Sequence, residues 1–288
     1  MRRLVPAVLA VAALALLAGP AVADTGDLIG GWGKPGEKKG KLGLIYGLAR
    51  DANGHIWVAD TSNNRVQRFS AGGIFQRKID GNLSNPEGVA VGPDNKIYVT
   101  DSLHDKIKVF GPGGTMKRKW GDSGGADGEF DFPSSVAVAP NGDVYVADRD
   151  NDRVQKFESD GDHVLTCDGL NLDRPNGVAV DASDNNVYIA DTEDDEVVKM
   201  DPTCNQLGQW TSTGRPSMLA AGNGFVYVTD GTADRVQKFE TDGDFVDEWG
   251  ESGSGPGDMN SPCGIALSPG GKVYVAEFLN SRVQKFEG

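Results

Sequence analysis

Six segments of this 288-residue chain read alike, and their spacing leaves few folds open. They are His55-Ile-Trp-Val-Ala-Asp60, Lys96-Ile-Tyr-Val-Thr-Asp101, Asp143-Val-Tyr-Val-Ala-Asp148, Asn186-Val-Tyr-Ile-Ala-Asp191, Gly224-Phe-Val-Tyr-Val-Thr-Asp230 and Lys272-Val-Tyr-Val-Ala-Glu277. The terminal acids lie 41, 47, 43, 39 and 47 residues apart. Alternating β-branched and aromatic residues make each segment a strand. Five residues after each acid stands Arg65, Lys106, Arg153, Glu196, Arg235 or Arg282, opening a second strand such as Arg-Val-Gln-Lys-Phe. Upstream, a further strand starts at a proline in Pro86-Glu-Gly-Val-Ala-Val, Pro133-Ser-Ser-Val-Ala-Val, Pro175-Asn-Gly-Val-Ala-Val, Pro216-Ser-Met-Leu-Ala and Pro262-Cys-Gly-Ile-Ala-Leu, with Ile45-Tyr-Gly-Leu-Ala as a degenerate first copy.

A fourth strand follows a turn. Gly73, Gly114, Gly161 and Gly243 each stand four residues after a phenylalanine, and six residues later come Ile79, Trp120, Cys167 and Trp249; in the fourth copy Met200 leads to Trp210 over the same ten residues. The pairs Asn53-Gly54, Asn141-Gly142, Asp160-Gly161 and Asp242-Gly243 are hairpin signals. Forty glycines, about twice normal usage, fit a chain of many tight turns. Four antiparallel strands per repeat of this length make a propeller blade. The last repeat ends after its third strand, and Leu28-Ile-Gly-Gly-Trp32-Gly33 resembles the outer strand Phe245-Val-Asp-Glu-Trp249-Gly250. The expected fold is all-β: one six-bladed β-propeller over residues 24–288, closed by residues 27–33 completing blade six.

Residues 1–23 read as a secretory signal peptide: Arg2 and Arg3, an apolar run from Leu4 to Leu17, and Ala21-Val22-Ala23 before Asp24. The expectation is an exported protein, secreted or periplasmic, with no transmembrane segment in the mature chain. Cleavage takes away two arginines and no acids, so a net charge of −14 becomes −16 over 265 residues. That acidity argues against nucleic-acid partners, whose binding needs Lys/Arg neutralising phosphates. Lys38-Lys39 and Lys117-Arg118-Lys119 read as solvated strand faces.

The pattern Pro-x-Gly-Val-Ala-Val, Asn-Gly-Asp-Val-Tyr-Val-Ala-Asp, Asn-Asp-Arg-Val-Gln-Lys-Phe resembles the NHL repeat, over essentially all of residues 27–288. The resemblance implies an NHL-type six-bladed propeller, a family that contains enzymes, sensor domains and binding scaffolds. Fold alone does not choose among them.

Asp60/Arg65, Asp101/Lys106, Asp148/Arg153, Asp230/Arg235 and Glu277/Arg282 recur blade after blade, so they read as structural pairs rather than an active site. Blade four breaks the rule with Asp191-Thr-Glu-Asp-Asp-Glu196, an acidic turn without calcium-loop spacing. Propeller ligands sit at the channel mouth, where the inner strands begin. The residues after each proline position, Tyr46, Glu87, Ser134, Asn176, Ser217 and Cys263, should ring it, with Arg149, Thr192 and Phe278 on the same face. The NHL-type amidating lyases place zinc-binding histidines at such positions, and none of the six here is His; His55, His104 and His163 fall in different blades. Glu87 and Asn176 look locally like the metal residues of gluconolactonase-like propellers, so one divalent cation such as Ca²⁺ is the cofactor alternative to none.

Three cysteines cannot all pair within the chain. Strand direction sets Cys167 at one end of an outer strand, Cys204 in a turn at the opposite end, and Cys263 near the axis, so no disulfide is expected. The reading is a monomeric, non-catalytic binding module for a protein, peptide or glycan at the channel mouth. The enzymatic alternative is a metal-dependent hydrolase or lyase there.

Overall fold

The computed structural model describes residues 25–212 and 214–288; the signal-peptide expectation for residues 1–23 lies outside them. Six four-stranded antiparallel sheets are arranged as blades. Blade one comprises Leu48–Arg50, Ile56–Asp60, Arg65–Phe69 and Phe75–Ile79; blade two Pro86–Val91, Ile97–Asp101, Lys106–Phe110 and Met116–Trp120. Blade three comprises Pro133–Val138, Val144–Asp148, Arg153–Phe157 and His163–Cys167; blade four Pro175–Val180, Val187–Asp191, Glu196–Met200 and Gln206–Thr211. Blade five comprises Pro216–Gly222, Phe225–Asp230, Arg235–Glu240 and Phe245–Trp249. Blade six takes Pro262–Leu267, Val273–Glu277 and Arg282–Phe286 from the end of the chain and Leu28–Trp32 from its beginning. Gly31 lies opposite Gln284 and Trp32 opposite Val283, so the ring closes as the sequence implies, and the edge that Arg282–Phe286 would otherwise expose is paired.

The second strand of each blade is buried on both faces, which explains its near-continuous apolar run; Val58, Val99, Val146, Ile189, Val228 and Val275 are fully buried. The core lies between blades, as in the cluster joining Ala59, Val66 and Phe110 of blades one and two. Around the axis, neighbouring inner strands touch backbone to backbone. A Cβ on Gly264 would stand 2.2 Å from Tyr46 O, so only glycine fits there.

Outer strands twist across the next blade, and a residue at or beside the end of the strand lands on a turn of that blade. Trp120 covers Gly161, where a Cβ would lie 2.7 Å from the indole and φ is +95°. Trp32 covers Gly73 and Trp210 covers Gly243 in the same way. At the junction of blades three and four this pair is Cys167 and Cys204, which form a disulfide with Cα atoms 5.3 Å apart. The expectation of unpaired thiols is therefore corrected. Strand direction does place the two residues at opposite ends of their own blades, but the propeller twist carries the far end of one blade onto the near turn of the next. Cys263 remains free and buried.

Candidate functional site

Each inner strand of blades two to six enters through a bulge. Pro133 pairs with Asp148 and Ser135 with Ala147, so Ser134 is left out of the ladder. The register shifts likewise after Pro86, Pro175, Pro216 and Pro262. A bulge re-aims the extra side chain, here toward the axis. This is why the residue after each proline differs from blade to blade while the rest of the strand repeats.

Only part of that ring faces a shared space. Asn176 Nδ2 donates to Tyr46 Oη at 2.5 Å across the channel, and Ser217 Oγ lies 3.3 Å from Tyr46 Oη and 3.4 Å from Asn176 Nδ2. Phe278 packs edge-on against the Tyr46 ring at 6.1 Å. Burial pushes the Tyr46 phenol up to about 12, with the Glu87 charge adding to the rise, so it stays protonated. Ser134 is fully buried and braces the next blade, its Oγ donating to Asn176 O at 2.9 Å. Cys263 Sγ is turned to the carbonyls of Ile45 (3.2 Å) and Tyr46 (3.4 Å), and burial pushes its thiol up to about 12, which makes it inert at neutral pH.

Above Tyr46, Asn176 and Ser217 opens a cavity of about 400 Å³, walled by Arg149, Arg174, Thr192, Glu193, Arg215, Thr232 and Ser261. Arg149 stacks on Phe132, 4.0 Å from the ring centroid, and shares Asp150 Oδ1 with Arg174 at 3.0 and 2.9 Å. Arg215 pairs with Glu193, and Thr192 Oγ1 donates to Pro216 O at 2.7 Å. Arg149 and Thr192, expected on this face, line the cavity, whereas Arg174 and Arg215 were missed by sequence reasoning, which looked after the prolines and after the strand-ending acids. Each of these two stands immediately before a proline, and that position varies among blades as much as the ring does.

Two acceptors here are buried with no hydrogen-bond partner: Glu87 Oε2 and Asn176 Oδ1. Glu87 Oε1 accepts from Asn85 Nδ2 at 2.9 Å, and donation to Tyr46 fixes the Asn176 amide with its oxygen unserved. Burial pushes Glu87 up to about 7; Arg149 and the Asn85 hydrogen bond pull down, and Asp150 pushes up. An orphaned buried acceptor is costly and calls for a donor or a cation.

The acids ending the second strands do something else. Asp148 Oδ1 accepts the Asp131 N–H at 2.8 Å while Oδ2 takes Arg153 Nε at 2.7 Å, and Arg153 then donates to Gly125 O, Ala126 O and Glu129 O. Arg65 with Asp60 and Arg282 with Glu277 repeat the arrangement, each clamping the long loop that leads into an inner strand. Arg235 pairs with Asp230 at 3.4 Å. Blade two departs from the expected pair: Lys106 Nζ reaches Asp122 at 2.8 Å, and it is Lys108 that sits 2.6 Å from Asp101. A side chain two positions along the strand shares its face, so the lysine at the site of Gln67 or Gln155 serves the acid instead. The histidines pair locally, His55 with Asp51 (2.9 Å), His104 with Asp101 (2.8 Å) and His163 with Thr166 (2.9 Å). Among the described residues no three His, Cys, Asp or Glu side chains gather as a metal cluster, and no helix is long and apolar enough to cross a membrane.

The NHL repeat model matches residues 47–69, 83–110, 130–157, 172–200 and 259–286, within blades one to four and six. Peptidylglycine alpha-amidating monooxygenase of Rattus norvegicus is 32% identical over 145 residues, 43% of this chain, and its Mus musculus counterpart is 30% identical over 145 residues. The chain spans only 15% of the length of either relative. Among solved structures, a streptogramin B lyase superposes with TM-score 0.63 at 17% identity, covering 84% of this chain and 78% of its own. A gluconolactonase from Xanthomonas campestris gives 0.64 at 15%, covering 85% and 86%, and a chain of the nidogen/laminin complex 0.61 at 25%, covering 68% and 75%. The lyase and gluconolactonase likenesses speak to the fold alone. With five matched repeats lying on the blades of a closed six-fold ring, the chain belongs to the NHL-repeat family of six-bladed β-propellers.

Proposed function

We propose that this propeller is an exported, non-catalytic binding module that recognises a peptide, protein or glycan at the channel mouth. The observation that carries the reading is the cavity itself. Its floor is a hydrogen-bonded Tyr46–Asn176–Ser217 set and its rim is formed by Arg149, Arg174 and Arg215. Such a site holds orientation-setting polar groups in a concave, pre-formed wall. The Cys167–Cys204 disulfide supports work outside the reducing cytosol. The nidogen/laminin likeness supports a binding role by analogy only.

The test is binding of arrayed glycans and peptides by the protein and by its Arg174→Glu and Arg215→Glu variants. A ligand bound at least about tenfold more weakly by both variants, with melting unchanged, supports the reading. Ligands indifferent to both substitutions overturn it.

A metal-dependent hydrolase or lyase is the second reading, favoured by the two unserved oxygens, Glu87 Oε2 and Asn176 Oδ1. As hard oxygen donors they fit a divalent cation, which would act as a Lewis acid on a lactone or ester carbonyl. Glu87 and Asn176 would hold the ion, and Tyr46 would keep the Asn176 oxygen turned toward it. Lactone or ester turnover by the protein, lost in Glu87→Gln, would favour this reading over the first.

A further inference from the structure

At the channel mouth of this acidic chain three guanidiniums gather around one cavity. Arg149 follows the strand-ending acid of blade three, while Arg174 and Arg215 precede the inner strands of blades four and five. The residues at the place of Arg174 and Arg215 in the other blades are Leu44, Asn85, Phe132 and Ser261, so the scaffold of the repeat does not call for a cation there. Among the described residues each guanidinium gives one nitrogen to an acid: Arg149 Nε and Arg174 Nη2 to Asp150 Oδ1, and Arg215 Nη2 to Glu193 Oε1. Three cations thus share two carboxylates. A guanidinium has five N–H donors in a planar fork matched to a carboxylate, so most of them are left for a ligand.

The floor asks for the opposite kind of group. Asn176 is 7% exposed, its Nδ2 is taken by Tyr46, and its Oδ1 is buried with no donor. That acceptor is costly unless a ligand brings it a hydrogen. Between rim and floor the described lining offers the hydroxyls of Thr192, Ser217, Thr232 and Ser261, and no Leu, Ile, Val, Met or Phe. Apolar side chains of a peptide would find no partner in such a wall, whereas the hydroxyls of a sugar, each both donor and acceptor, would. We propose that the ligand of the channel mouth is an acidic saccharide: a uronate whose carboxylate is held by Arg174 and Arg215 and whose hydroxyl donates to Asn176 Oδ1. The proposal rests on the binding-module reading and narrows its ligand to one class. A free sugar acid and the end of an acidic polysaccharide share this chemistry.

The experiment is calorimetric titration, in chelator at neutral pH, of glucuronate and galacturonate, their oligosaccharides, the methyl esters of both, and the matching neutral sugars. The acids should bind, with esters and neutral sugars at least about tenfold weaker. Arg174→Gln and Arg215→Gln should each erase the preference for acid over ester, whereas Asn176→Leu should weaken acid and ester alike. The comparison of acid with ester needs only the wild type, so it stands even where a variant misfolds. Free acids as tight as oligomers assign a small sugar acid, and tighter oligomers assign a polysaccharide end; either supports the proposal. No binding of any uronate, equal affinity for acid and ester, binding only with a divalent cation, or tighter binding of a peptide with a free C-terminal carboxylate overturns it. A peptide or neutral glycan lost in Arg174→Glu and Arg215→Glu would still leave the binding module standing. Only ligands indifferent to both of those substitutions would remove that reading too.

Discussion

Cys167 and Cys204 stand in blades three and four where Trp120 and Gly161 stand one blade earlier. A covalent link thus takes over, at one junction, the packing that an indole over a glycine turn supplies at others.

The disulfide closes a loop 37 residues long, and crosslinks of this kind contribute about 2–4 kcal/mol. Reduction, or Cys167→Ser with Cys204→Ser, should lower the unfolding free energy by about that amount in denaturant titrations. The double variant Cys167→Trp, Cys204→Gly should recover much of the loss under reducing conditions. No recovery would mean that the two junctions are not packed alike.

Removing residues 24–33 should unpair Arg282–Phe286 and leave blade six with three strands. The expected result is loss of cooperative melting, or aggregation through the bare edge. A truncated protein with an unchanged melting curve would contradict closure by the N-terminal strand.

Arg153 and Arg174 test two kinds of ion pair. Arg153 is a buried clamp on Asp148 and three loop carbonyls, and Arg153→Ala should cost about 3–5 kcal/mol because it strands a buried carboxylate. Arg174 pairs with Asp150 at the half-open rim, and Arg174→Ala should cost less than about 1 kcal/mol. Chemical denaturation of both variants measures the difference. Equal losses would argue against the division into clamp and rim.

Glu87 and Asp191 are both pushed up to about 7 from ordinary carboxyl values, chiefly by burial. Between the ordinary carboxyl range and pH 7 the folded state therefore holds protons that the unfolded chain has released. Stability of the metal-free protein should fall as pH rises through that window, by at most about 1.4 kcal/mol per pH unit for each group. Glu87→Gln and Asp191→Asn should each flatten part of the slope in melting curves measured from pH 5 to 8. A wild-type stability that rises with pH in chelator would count against both assignments.

Much of the fold was legible because a blade is written in local physics. Period-two alternation marks its strands, Asn-Gly and Asp-Gly its hairpins, and the common offset of Trp32, Trp120 and Trp249 from the next inner strand betrays the closing segment. The inner-strand prolines even marked the bulges that turn Glu87, Asn176 and Ser217 toward the axis. Arg174 and Arg215 were overlooked because their place at the rim depends on how blades four and five lean over the channel, and no spacing along one strand reports that lean.

The Cys167–Cys204 link had a trace in the sequence, since both cysteines fall on repeat positions held elsewhere by tryptophan and glycine. Reading it required the contact between those positions, which twist alone creates.

By itself the sequence determined that this chain forms six blades and that its first and last strands share one of them. Those properties follow from turns, alternation and register, which act over a few residues. The tertiary structure decided which polar groups meet. Tyr46 and Asn176 are 130 residues apart and touch only because the ring closes. Cys167 and Cys204 meet because the outer strand of blade three crosses a turn of blade four. Closure and twist set those contacts, and both belong to the whole ring rather than to any one repeat.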